Sequence, residues 1–226
     1  MEGIFYNNKV LSAQERMDFC AMADEVALHF SESIDGIHEI AENIASSENE
    51  GFRIIMNKLI DISTYILYCY CDIVVLTKLF IQSINHYEKS FLRGKLKVLL
   101  NESFKKLYGF NEATHQKSYF VRFKEVASLF PQYNRDVEIL MIELNELADK
   151  GSWWKKERNA EVHIDVDLLY EYRHDDINES KVVMETEQLI NVFNKIDLLL
   201  ATVNRAFIDA ITSEGADSEP QTQKLL

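Results

Sequence analysis

The chain has 226 residues, and 47% of them are hydrophobic. That suits one domain or two small ones with a sizeable core, and it excludes disorder throughout. Only 7 Gly and 2 Pro argue against a many-turned sandwich, barrel or propeller, which needs turn residues every few positions. Acids outnumber Lys and Arg by 37 to 24, a formal charge of -13, so any nucleic-acid contact must come from a local patch and not from bulk charge.

Met1-Glu2-Gly3 carries an acid where an export signal has its basic region, and no long apolar run follows. Ser12-Ala13-Gln14-Glu15 spells a capping box. Phe19, Met22, Val26, Phe30, Ile34, Ile37, Ala41 and Ile44 then recur at steps of three and four, which predicts a helix that fades over 46–51. A second helix starts near Phe52. Its stripe is Ile55, Leu59, Ile62, Ile66, Tyr70, Ile73, Leu76, Phe80 and Ile84, while Ile60, Leu67, Val74 and Leu79 fall on other faces. A helix apolar on several sides is central. Its most apolar stretch, 59–81, holds Asp61, Asp72 and Lys78, so it reads as a core helix and not as a bilayer span. The pattern runs on to a C-terminal cap at Gly109. That is too long for one ordinary helix, and a bend or break is expected between residues 85 and 94. Cys20, Cys69 and Cys71 make an odd count, which fits free thiols in a reducing cytosol. Cys69 and Cys71 lie about 200° apart around a helix axis and cannot share a metal there.

A connector at 111–116 leads to a helix over 120–129, and Pro131 begins a new turn or kinks the old one. Val137, Leu140, Met141, Leu144, Leu147 and Ala148 give the next stripe, closed by Gly151. Ser152 is placed to cap a short helix from Trp153 to about Val162. Over 164–179 the pattern dissolves into Asp165, Asp167, Glu171, Asp175, Asp176 and Glu179 against Arg173 alone, an exposed acidic loop. The last helix starts near Ser180. Its Leu189, Phe193, Ile196, Leu200, Val203 and Phe207 form a narrow heptad seam suited to one partner helix. From Thr212 onward the composition is polar. The expectation is one helical domain over 1–212, a disordered tail over 213–226, and an all-α bundle of long antiparallel helices.

Residues 158–163 read Arg158-Asn159-Ala160-Glu161-Val162-His163. Arg followed directly by Asn, then by His at this fixed spacing, is expected about 0.014 times by chance in such a composition. The stretch resembles the signature of the HEPN superfamily: an Arg, usually followed by a polar residue, with His a few residues later near the end of a bundle helix. The resemblance covers the helical body only in general architecture. It implies a metal-independent RNA endonuclease of toxin or defence type, cytoplasmic, without cofactor or metal. It also implies a homodimer with both motifs lining one cleft, and an antitoxin or nucleotidyltransferase as partner. The alternative it implies is a non-catalytic module binding nucleotide, nucleic acid or a protein.

The residue types suit that chemistry. His163 has an imidazole that exchanges a proton near neutral pH. Arg158 is permanently charged and suited to clamp phosphate oxygens as negative charge builds. Asn159 lies about 40° from His163 around an ideal helix and can meet it, whereas Arg158 and His163 lie about 140° apart. Either the helix ends before His163 or a two-fold dimer completes the site. The plainer alternative is Arg158 paired with an acid and His163 placed at a helix C-terminus.

Lys155 and Lys156 add charge beside the motif, and Lys89, Arg93 and Lys97 share one helix face at i, i+4, i+8. These five, with Trp153 as a base-stacking platform, are the candidate nucleic-acid contacts. A solvated helix face and two buried tryptophan anchors, Trp153 and Trp154, explain the same residues. Glu171 and His174 show a Glu-x-x-His spacing once, whereas di-iron bundles need it twice with two further Glu.

Overall fold

The computed structural model describes residues 10–150, 152–163, 167 and 176–214. Among them lie eight α-helices and no strand, an all-α bundle. The helices are α1 (Ala13–Ala45), α2 (Glu50–Gln82), α3 (His86–Leu107), α4 (Glu112–His115), α5 (Tyr119–Ala127), α6 (Asn134–Lys150), α7 (Ser152–His163) and α8 (Glu179–Glu214), with a 3₁₀ turn at Pro131–Tyr133. Of the tail expected over 213–226, residues 213–214 continue α8 instead, and the rest lies outside the described residues.

Local chemistry sets the boundaries. The Ser12 hydroxyl accepts the Glu15 amide at 3.2 Å, and the Glu15 carboxylate accepts the Ser12 amide at 2.6 Å, so the box closes both ways. The long apolar run breaks at residues 83–85, at the near edge of the expected window. The cause is Asn85, whose side chain accepts from the amides of Tyr87 and Glu88 and so starts α3 afresh. Gly109 has φ of 86°, a left-handed cap position, and an added Cβ would meet the His115 backbone nitrogen at 2.5 Å.

The central helix is α2, with α1, α3, α5 and α8 packed on it. Ile62, Ile73, Val74 and Phe80 are fully buried. Among the described residues it is the one helix long and apolar enough to cross a membrane by length and composition, and 33% of that apolar window is buried by its neighbours. Phe30 meets Tyr68 and Arg16 donates to the Ile81 carbonyl at 2.7 Å, so α1 runs antiparallel to α2. Tyr65 donates to the Ser103 carbonyl and Lys89 lies 5.8 Å from the Phe80 ring, so α3 is antiparallel to α2 as well.

Two expectations need correction. The α8 seam is wider than one partner helix requires, because Val182, Val183, Ile190 and Val192 are buried beside the heptad residues; α8 is gripped by α2 and by α6. Glu179 does not belong to an exposed acidic loop. It is 5% exposed in the first turn of α8 and pairs with Arg16 of α1 and Lys89 of α3. An acid there also suits the positive end of the helix dipole. The remainder of the acidic stretch is described only at Asp167 and over 176–178. The thiols of Cys20, Cys69 and Cys71 are free, and burial pushes Cys71 up to about 11, which leaves it inert at neutral pH.

Burial acting alone would raise the Glu179 carboxyl, but hydrogen bonds from Lys89 and Arg16 outweigh it and hold it below the usual range. A depressed carboxyl stabilises the fold above its unfolded value of about 4.3 and loses that contribution as pH falls through the folded value. Glu179→Gln is therefore expected to be less stable than the parent at pH 7 by urea unfolding, with the gap closing as pH falls below about 4. A gap that persists at pH 2 contradicts this anchoring.

Candidate functional site

The motif helix α7 lies along α3, and the pairings Trp154 with Phe104, Arg158 with Glu102 and Glu161 with Gly94 make the two antiparallel. Trp154 is buried at one end, edge-on to Phe104 with ring centroids 6.2 Å apart. It is therefore a buried anchor. At the other end the Glu161 carboxylate is tucked over Gly94, where a Cβ would come within 2.2 Å of Glu161 Oε1. The glycine thus lets α7 approach closely enough to bury Glu161, whose side chain is 8% exposed and lies 3.8 Å from Lys95 Nζ.

Arg158 sits between these anchors. Its Nε donates to Glu102 Oε1 at 2.8 Å, and Nη2 lies 2.7 Å from the same oxygen. Its Nη1 donates to Asn159 Oδ1 at 3.0 Å. The Arg158 side chain is 22% exposed and that of Glu102 35%, so the pair stands at a solvent boundary and not in the core. Charge-assisted bonds from a planar fork fix the guanidinium plane as well as its position. Three of its five N–H groups are engaged in these contacts.

Asn159 is half-buried, with its carbonyl oxygen turned to Arg158. His163 is the last residue of α7. Its side chain, like that of Trp153, lies outside the described residues. The helix does not end before His163, so the azimuthal gap of about 140° to Arg158 stands within one unbroken helix. Glu171 and His174 also lie outside the described residues.

The basic residues separate into two groups. Lys155 and Lys156 are exposed on α7. Lys89 is turned inward to Glu179. Lys97 is paired with Glu185, both side chains 3% exposed, and Arg93 between them is half-buried. At two of its three positions the stripe on α3 is spent on carboxylates of α8. The reason is desolvation: a lysine on a helix face that packs against another helix must find an anion there.

Sequence reasoning missed Glu102. It is 56 residues from Arg158 along the chain and stood in the sequence only as an acid within a basic run. Gly94 carried a weak signal, a lone glycine inside a helical pattern, which marks close approach of another backbone.

Comparison of the chain with family models, with curated proteins and with solved structures finds no match. The site therefore stands on its own geometry.

Removing one member of a buried pair leaves the other uncompensated. Lys97→Met is expected to cost about 3 kcal/mol, at the low end for such pairs, because Lys181 Nζ stands 3.9 Å from Glu185 Oε1. Adding Glu185→Leu should recover most of that loss. Urea unfolding of parent, single and double variants measures it; equal losses in both variants would contradict an internal pairing role for Lys97.

Proposed function

We propose that the chain is a HEPN-like, metal-independent RNA endonuclease of toxin or defence type, acting on cytoplasmic RNA as a homodimer. The observation that carries this reading is the state of Arg158: a guanidinium held in plane by Glu102 and Asn159, still solvent-reachable, one turn and a half before the terminal His163 of the same helix.

In the proposed reaction the His163 imidazole takes the proton of a ribose 2′-hydroxyl. The resulting oxyanion attacks the adjacent phosphorus. The P–O5′ bond breaks, the 5′-oxygen leaves with a proton from an imidazolium, and the products are a 2′,3′-cyclic phosphate and a 5′-hydroxyl. Arg158 stabilises the negative charge that builds on the non-bridging oxygens. Since Arg158 and His163 diverge by about 140° on α7, two α7 helices related by a two-fold axis would supply Arg158 from one copy and His163 from the other. Exposed Lys155 and Lys156 give the approach a positive edge within an acidic protein.

A second reading has one observation in its favour. Glu102 already neutralises Arg158, as it would in a HEPN-like module that binds a nucleotide, RNA or protein partner without cleaving.

Cleavage of a broad RNA panel in EDTA distinguishes the two. Arg158→Ala and His163→Ala are each expected to lower the cleavage rate by about 10²- to 10⁴-fold, with melting temperatures close to the parent and His174→Ala fully active. Absence of cleavage by the parent, with RNA binding weakened by Arg158→Ala, would establish the second reading instead.

A further inference from the structure

We propose that Glu102 is a positioning residue: it fixes the Arg158 guanidinium so that the end-on Nη1–Nη2 edge, and not the Nε–Nη2 edge, meets the phosphodiester. The inference rests on the nuclease reading and deepens it.

A guanidinium offers two edges with paired, parallel N–H groups. The side-on edge, Nε with Nη2, is occupied by one oxygen of Glu102. Nη1 gives one hydrogen to Asn159 Oδ1. The proposal assigns to Asn159 the Nη1 hydrogen that faces away from Nη2, so that one hydrogen each of Nη1 and Nη2 makes up the end-on edge, whose spacing matches two oxygens of a phosphate.

Glu102 is well placed to hold a side chain still. It projects from α3 between buried neighbours, since Asn101, Ser103 and Phe104 are each 3% exposed or less, and a site built on a packed helix is held more tightly than one on a loop. Without it, Arg158 is a long side chain with many rotamers anchored only by its own neighbour Asn159. The pair stands partly in water, which screens the Glu102 charge from an incoming phosphate. The phosphate approaches the adjacent end-on edge, so it has no need to displace the carboxylate. Glu102 is thus a support and not a competitor for the site.

The test combines kinetics with nitrogen-15 NMR of the arginine side chain in the full chain. Glu102→Ala is expected to lower kcat by about 10- to 100-fold, because small misplacements of a charge-stabilising group are costly, with KM changed less and the pH profile unmoved. Glu102→Gln keeps an acceptor oxygen at the same reach and should restore most of the rate. Unchanged or faster cleavage by Glu102→Ala overturns the proposal. NMR decides the point even if the parent cleaves no RNA and the nuclease reading fails. Titrated inorganic phosphate should shift the Nη signals of Arg158 in the parent and leave its Nε–H in place, and Glu102→Ala should lose that order. A moving Nε–H in the parent means that phosphate displaces Glu102, and the proposal falls.

Discussion

A 33-residue helix that is apolar on more than one face cannot be satisfied by a single neighbour. α2 therefore dictates the architecture: α1, α3, α5 and α8 pack on it and cover most of its apolar surface, while Ile54, Tyr68, Val75 and Leu79 stay exposed. At about 25 cal/mol per Å² of apolar surface withdrawn from water, this burial dominates the stability of the bundle. The remaining helices attach to that first layer. α7 packs chiefly on α3, where Trp154 meets Phe104, with a smaller contact to α6, and α6 packs chiefly on α8. The motif helix is thus a second-layer element set against a first-layer scaffold.

Ionic contacts then fix how the scaffold helices register. Glu179 ties the start of α8 to α1 and α3, and Lys97 with Glu185 ties α3 to α8 again two turns further along. Buried pairs of this kind add little net stability over apolar residues, yet a wrong register would strand a charge. The Glu102–Arg158 contact differs in kind. Its members are a fifth to a third exposed, where an ion pair contributes about 0.2–1 kcal/mol. So weak a contact adds little to the stability of the bundle. It is well suited to holding the Arg158 guanidinium in one orientation.

The helical plan was legible because its signals are local. Ser12 with Glu15, the stripes on α1 and α2, and the turn at Pro131 depend on neighbours within a few residues, and the structure places a cap or boundary at each. The width of the α8 seam was less legible, since the sequence shows which residues are apolar but not how many helices grip them. The charged residues were least legible. Lys89, Lys97 and Glu179 look like solvated groups until distant chain segments bring them together, because nothing in a lysine's own neighbourhood says which helix will lie over it. The same applies to Arg158. Its motif was visible at once, while Glu102, which holds it, lies on another helix and has no spacing rule to betray it.

The chemistry at the cut ends of the RNA tests the proposed cleavage most directly. Mass spectrometry of fragments made by the purified full chain in EDTA is predicted to find 2′,3′-cyclic phosphate, or the terminal phosphate its hydrolysis gives, on one side and 5′-hydroxyl on the other, since attack by the neighbouring 2′-oxygen first forms the cyclic ester. Fragments bearing 3′-hydroxyl and 5′-phosphate, or intact RNA throughout, would contradict it.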